Sequence, residues 1–341
     1  MARVDLTVRG AGIFGLSVAW EAARRGACVR VIEAFGIGAG SSGGIVGALS
    51  PHVPETWNGK KAFQLESLLM ASAWWGDVEA ASGMVSGYGR VGRLQPLVDQ
   101  AAVELARARG VSAEGLWRGE AVWRVVQAMG AAWEPFSASG WLVEDNLSAR
   151  LHPRLGCAAL VAAIEAAGGE VVVGEAEEVG PVIWATGVAG LEALGADLGR
   201  TIGGGVKGQA ISLRYPAQGL PQLFVDGLHV VPHVDGTVAV GSTSEMVWTD
   251  LGVDHQAEDL HARAVAALPV LAGAEVVERW AGVRPRAKSR APLLGAWPGR
   301  AGHFVANGGF KIGFGMAPKV AEVMVDLVLE GRDLIPAGFR I

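Results

Sequence analysis

Three glycines within six residues, Gly10, Gly12 and Gly15, separate a short apolar run from a helical one, and few folds accommodate that order. Asp5 to Arg9 reads as a strand, Ile13 to Arg25 as a helix, and Val29-Arg30-Val31-Ile32 as a second strand closed by Glu33. Each glycine has a task in a βαβ dinucleotide-binding unit. Gly10 permits the tight turn, Gly12 lets a pyrophosphate approach the backbone, and Gly15 lets helix and strand pack closely. The helix start turns its free amides and the positive end of its dipole toward the phosphates. Glu33 stands 23 residues after Gly10, placed to accept from ribose hydroxyls and to repel a 2′-phosphate. Arg9 occupies a strand-end position where an apolar residue is usual, and its side chain goes either to solvent or to a phosphate.

The segment after Glu33 bears on which dinucleotide is bound. The chain runs through Ala34 into Gly36-Ile37-Gly38-Ala39-Gly40-Ser41-Ser42-Gly43-Gly44, then at once into apolar Ile45-Val46-Gly47-Ala48. Such a tract is too tightly joined to apolar sequence to be a free linker, and it lets backbone amides approach a long ligand. A second cluster, Asn307-Gly308-Gly309-Phe310-Lys311-Ile312-Gly313-Phe314-Gly315, leads into an amphipathic helix from Ala317 to Glu330 that stops at Gly331. A helix start there can face the pyrimidine edge of a flavin ring and stabilise its negative charge when reduced. Between the clusters, Val182-Ile183-Trp184-Ala185-Thr186-Gly187 reads as a buried strand ending in a small turn. Two cradles at opposite ends of the chain fit FAD better than NAD.

Composition narrows the remaining choices. Half of the 341 residues are hydrophobic, ample for a core, and 34 acidic against 29 basic residues leave a net charge of −5. With no Lys/Arg run longer than two, nothing resembles a nucleic-acid footprint. Cys28 and Cys157 form neither a disulfide framework nor a metal cluster, each read as a buried thiol, and no metal is expected. No apolar stretch is long enough to span a membrane. Met1 to Leu6 enters a strand pattern directly, which leaves no room for a leader, and the expected location is cytoplasmic.

Along the rest of the chain, Lys60 to Ala81 reads as a long helix with Ala62, Leu65, Leu68, Leu69, Ser72 and Trp75 on one side. Tyr88 to Val98 and Trp117 to Val126 have strand character. His152 to Ala167 is a helix with a proline in its first turn, and Asp254 to Leu268 is another. Val206 to Leu213, His229 to His233 and Thr237 to Gly241 read as adjacent antiparallel strands, the last two joined at Asp235-Gly236.

The motifs GAGIFG, Glu33, GSSGGIVGALSPH, VIWATG, VKGQ, HVVPH, VGSTS, WAGVRPR and NGGFKIGFGMAP follow one another in this order from Val4 to Gly331. In this the chain resembles the D-amino-acid oxidase superfamily of FAD-dependent oxidoreductases, and most of all its glycine oxidase and sarcosine oxidase branch. The resemblance implies an α/β fold: a discontinuous Rossmann-like, glutathione-reductase-like FAD-binding domain (1–85, 145–205, 285–341) with an α+β substrate domain (86–144, 206–284) carrying a mostly antiparallel sheet. One departure stands out. Only Gly174 to Pro181 lie between Val173 and Val182, where relatives carry a three-strand excursion beside the adenine, so that part of the FAD should be more exposed.

Carried over by position, the family's cofactor contacts fall on Gly10, Gly12, Ile13, Phe14 and Gly15 at the pyrophosphate, and on Glu33 and Ala34 at the ribose. Ser41 and Ser42 follow, then Val46, Gly47 and Ala48 beside the flavin, Ala185 and Gly187, and Gly309, Phe310, Lys311, Ile312, Gly313, Phe314 and Gly315 at its pyrimidine end. Arg284 matches the arginine that grips a substrate carboxylate, a task suited to a planar fork of parallel donors. By composition alone it is one member of a basic run with Arg286, Lys288 and Arg290. His229 stands where glycine oxidases have a tyrosine, either serving the substrate or satisfied by its neighbours. Lys311 replaces an arginine near both flavin and substrate. His52 and Ser242-Thr243-Ser244 are further candidate walls. Lys288-Ser289-Arg290-Ala291-Pro292 contains no cysteine, so the FAD should be non-covalent.

The activity implied is oxidation of the C–N bond of a small amino acid or N-substituted glycine to an imine by hydride transfer to flavin N5, with oxygen or another electron acceptor completing the cycle. Two alternatives stay open. Gly282 to Arg286 with Ala291 to Gly295 also resembles the FAD domain that trims tRNA wobble-uridine side chains, against which the net charge counts. The changes at His229 and Lys311 also suit a flavin-binding protein without turnover. The sequence assigns no oligomeric state.

Overall fold

The computed structural model describes residues 4–341, so the part of the leader reading that concerns Met1–Arg3 lies outside the described residues. Strand β1 (Leu6–Arg9), helix α1 (Ile13–Arg24) and strand β2 (Val29–Glu33) form as the glycine pattern predicts. β1 and β2 pair in parallel, Leu6 opposite Val29 through Arg9 opposite Ile32. They lie in a six-stranded sheet ordered Leu293–Ala296, His303–Asn307, Val182–Trp184, β1, β2, Glu170–Val173. Every pairing is parallel except the first. The start, middle and end of the chain therefore share one sheet. Its strands are apolar runs because helices cover them: Leu6, Val8, Val31 and Ile183 are fully or almost fully buried. α1 is buried nearly all round and packs against helices Pro153–Ala166 and Gly313–Glu330.

A second, eight-stranded sheet runs Glu275–Ala287, Gly203–Arg214, Thr237–Gly241, Leu228–Pro232, Gln222–Val225, Arg93–Pro96, Trp141–Asp145, Trp123–Gln127. Only Gln222–Val225 and Arg93–Pro96 pair in parallel; the other pairings are antiparallel. The expected hairpin turns at Gly236 (φ 84), with the Thr237 amide donating to Asp235 Oδ1 at 3.0 Å. Ile211, Leu213, Val230, Val238 and Val240 on one side of this sheet meet Ala257, Leu260 and Ala264 of helix His255–Ala267.

Several expectations are corrected. Tyr88 to Val98 contributes only the strand Arg93–Pro96, since Gly87 and Gly92 (φ 77 and 76) turn the chain before it. Trp117 closes helix Gln100–Leu116, which the sequence reading missed, and the strand after it is Trp123–Gln127. Gly187 does not end a turn but begins helix Gly187–Asp197. The last helix starts at Gly313 rather than Ala317, with Pro318 inside it. In helix Gly59–Ser82 the buried face runs through Gln64, Ser67, Leu68, Ala71, Trp74, Trp75 and Val78, whereas Ser72 is exposed. Cys157 is buried as expected, but Cys28 is only half-buried. No strand lies between Val173 and Val182, in keeping with the missing excursion. Among the described residues, no helix is long and apolar enough to cross a membrane.

Candidate active site

A cleft of about 1310 Å³ opens at the carboxyl ends of the parallel strands. Arg9, Glu33, Trp184 and Asn307, each the last residue of its strand, all line it. This is where open α/β sheets bind ligands, because the helices that follow the strands point their amino ends there. From that edge the cleft extends to strand Glu275–Ala287 of the second sheet.

At the glycine turn, a Cβ on Gly15 would lie 1.9 Å from the Gly10 carbonyl oxygen, so only glycine lets α1 pack this closely on the turn. Gly12 gives α1 no side-chain cap. Ser42 Oγ instead accepts from the Ile13 amide at 2.9 Å, which ties the Gly/Ser tract to the helix start. The Glu33 carboxylate accepts from the amides of Ala11 at 2.7 Å and Phe35 at 3.0 Å, fixing the acid across the turn while both oxygens keep capacity to accept more. Arg9 pairs with Glu178 at 3.3 Å and lies over the Trp184 ring, so its charge is held within the protein at the cleft edge.

The tract Gly44 to Ala48 is a fixed wall. The Gly47 carbonyl accepts from the Leu151 amide at 3.0 Å, Arg154 Nε donates to the Gly43 carbonyl at 2.8 Å, and His233 Nε2 pairs with the Ile45 carbonyl at 2.9 Å. At the far end, Asn307 Nδ2 donates to the Gly187 carbonyl at 2.8 Å, locking the second glycine cluster against the middle of the chain.

The structure gathers most of the cofactor residues named from sequence. Gly10, Gly12, Ile13, Phe14, Glu33 and Ala34 line the cleft, as do Ser41, Ser42, Val46, Gly47 and Ala48. Ala185, Gly187, Gly309, Phe310, Lys311, Gly313 and Phe314 complete the set. Three do not reach it. Gly15 sits behind the turn, Ile312 packs into the main core, and Gly315 faces Leu68 and Leu49. Ser242 lines the cleft, whereas Thr243 and Ser244 do not, and the His52 ring pairs through Nδ1 with Gln64 Oε1 instead. Gly174, Glu175, Phe224, Leu251 and Trp280 also line it without having been singled out. Gly174, Glu175 and Leu251 come from connecting segments and Phe224 and Trp280 from strands of the second sheet, and their place depends on how the two sheets meet, which no local pattern records.

Arg284 is buried on strand Glu275–Ala287, between the Trp280 ring and the bare Cα of Gly208. Among the described residues, its guanidinium makes one hydrogen bond, from Nη1 to the Thr243 carbonyl at 3.3 Å, and has no acidic partner. Desolvation brings its pKa down to about 10, opposed by Glu245, so it stays charged at neutral pH. A buried, cleft-facing guanidinium with most of its donors free is built to receive an anion. Lys311 lines the open cleft beside Phe310, and desolvation with the Arg284 charge holds its ammonium below the usual lysine range. His229 lines the same end against Phe224, and its Nδ1 has no partner among the described residues. Burial, with Arg93 and Lys311 adding to it, pushes its imidazole down to about 3, so it is neutral at pH 7.

An amide-lined cleft with helix starts near both ends, an acid at the first turn and a buried cation beside an aromatic wall suits a long dinucleotide and a small acidic ligand. A family model described as FAD dependent oxidoreductase (DAO) matches residues 5–327. Glycine oxidase of Pseudomonas putida is 36% identical over 137 residues, a match that spans 39% of this chain and only 38% of that protein. Glycine oxidase of Geobacillus kaustophilus is 26% identical over 96% of this chain and 93% of its own. The crystal structure of glycine oxidase from that organism superposes with a TM-score of 0.86 at 23% identity, covering 100% of this chain and 98% of that one. Iminodiacetate oxidase from Chelativorans sp. BNC1 gives a TM-score of 0.86 at 21% identity, over 98% of both chains. The structural likeness is one of fold; the family match carries more. The chain belongs to the DAO family of FAD-dependent oxidoreductases.

Proposed function

We propose that the chain oxidises the C–N bond of a small amino acid or N-substituted glycine to an imine, which water then hydrolyses. The observation that carries this reading is Arg284, a buried guanidinium facing the cleft with a single hydrogen bond. Bound FAD supplies the acceptor for the two electrons and the hydrogen lost from the carbon next to nitrogen. The protein's part is orientation and charge. The Arg284 fork takes the substrate carboxylate and thereby fixes where the Cα–H points. Trp280, Phe224 and Phe310 form an aromatic wall that limits water around the reacting carbon. With two cations at this end, Arg284 and Lys311, a substrate ammonium is disfavoured and the free amine, the form that can be oxidised, is favoured. His229, neutral, offers a hydrogen bond rather than a charge.

Neither cysteine lines the cleft, which supports non-covalent FAD. The substrates named in two relatives, glycine and iminodiacetate, have the size and carboxylate that this site fits. Oxygen or another acceptor reoxidises the cofactor. Replacing Arg284 by Ala should leave FAD bound and raise KM for an amino-acid substrate about 100-fold, the size of a lost bidentate charged contact. An unchanged KM would remove Arg284 from the site.

A further inference from the structure

Among the described residues Arg284 has no acidic partner of its own, yet buried charges seldom go unbalanced. Its balance lies one layer away. Lys207, on the neighbouring strand Gly203–Arg214, has a side chain only 2% exposed, with Nζ 3.5 Å from both Glu245 Oε2 and Asp254 Oδ2. Glu245 and Lys207 also exchange backbone hydrogen bonds, 2.9 and 3.0 Å. Gln209 Nε2 donates to Glu245 Oε1 at 3.2 Å and to Asp254 Oδ1 at 2.8 Å, while its Oε1 accepts from the Asp254 amide at 2.9 Å. Thr243 Oγ1 donates to Glu245 and accepts from the Gln209 amide, and the Thr243 carbonyl is the group that receives Arg284. Two cations and two anions thus form one connected cluster whose charges cancel. Only one member, the guanidinium, faces the cleft with donors unused.

Glu245 is the anion whose charge reaches Arg284, and it sits two residues from Thr243 on the same segment. Without a cation to hold it, a carboxylate in this place would compete with any incoming carboxylate for the fork. We propose that Lys207 is a positioning residue for Arg284: by holding Glu245 and Asp254, it keeps the guanidinium free and the local field positive for a substrate carboxylate. The inference rests on the reading of Arg284 as the carboxylate site. Lys207 does not line the cleft; it acts through Glu245 and Thr243. A purely structural lysine and a charge-holding one differ in what a second substitution does. Within this cluster, removing Lys207 leaves two carboxylates against one guanidinium, and removing the Glu245 charge as well restores one against one; Lys311, on the cleft side of Arg284, is common to every variant.

The test uses FAD-loaded protein titrated with acetate, a carboxylate without an amine, followed through the change it causes in the visible flavin band. Arg284→Gln is the control for the underlying reading. Lys207→Met should weaken acetate binding about tenfold. Lys207→Arg should retain it, and Lys207→Met/Glu245→Gln should recover to within about threefold of the wild type. Wild-type affinity in Lys207→Met, or no recovery in the folded double variant, overturns the inference while a weak Arg284→Gln leaves the carboxylate site standing. If Lys207→Met does not fold, the double variant decides: near-wild-type acetate binding supports the charge role and weak binding refutes it. Acetate binding that is unaffected in Arg284→Gln, or undetectable in the wild type, overturns the carboxylate reading itself.

Discussion

Gly208 shows how far the site depends on an atom that is absent. A Cβ there would lie 1.8 Å from Arg284 Nη1 and 2.4 Å from its Cζ. The obstructed group is the end of a flexible side chain, so an added methyl displaces the guanidinium rather than the strand. Gly208→Ala should therefore keep the fold and the FAD but raise KM for the amino acid at least about tenfold, a cost of misplacing one positioning group. An unchanged KM would show that Arg284 works from some other position. Gly15 and Gly208 also mark what a sequence can and cannot disclose. The task of Gly15 is written in its spacing from Gly10 and Gly12. That of Gly208 depends on a strand more than 70 residues away, and no spacing rule reports it. Lys207, within the motif VKGQ, was legible as a resemblance only, since its partners Glu245 and Asp254 come from later segments.

Among the elements, those with a strong apolar period were readable and those without were not. β1, α1 and β2 match their expected bounds within a residue, because both periods are sharp and glycines punctuate them. Helix Gln100–Leu116 went unread because it buries only Val103, Ala106 and Ala113, too few to draw a stripe. Its start is set instead by the Asp99 side chain accepting from the Ala102 amide. The strand Leu228–Pro232 turns His229 toward the cleft, and the turn after it buries His233. His233 supports the cofactor-side tract through the Ile45 carbonyl and lies against His152, with Asp235 and Arg150 nearby. Burial first, then the His152 charge, pushes His233 down to about 4. The unfolded chain takes this proton near 6.5, the folded chain only near 4. Between those values the unfolded state binds more protons, so stability falls as the pH drops, by about 1.4 kcal/mol per unit for one such group. His233→Gln, whose amide can still donate to Ile45, should flatten the acid limb of a denaturation series between pH 6.5 and 4 by about that slope. Parallel limbs in wild type and variant would show that His233 is not the titrating group.

For the molecule as a whole, two sheets meet along one cleft, the mostly parallel one lining it with its glycine turns and the mostly antiparallel one with Arg284 and His229. That the start, middle and end of the chain share one sheet was legible because the motifs lie in one collinear order along the chain. The way the sheets face each other was not, and it places Trp280, Phe224 and Leu251 at the cleft. Phe35, 87% exposed, lines the same cleft beside Glu33, with Gly174 and Glu175 of the short Gly174–Pro181 link also on its wall. The proposed function requires that this cleft bind FAD and pass electrons to it from a small amine bearing a carboxylate. The most direct measurement is the visible spectrum of the FAD-loaded protein mixed without oxygen with glycine, sarcosine, small D-amino acids and proline derivatives. Bleaching of the yellow band by at least one of them, at concentrations that rise sharply in Arg284→Ala, is the predicted result. Protein that takes up no FAD, or a band that none of these compounds bleaches, would contradict it.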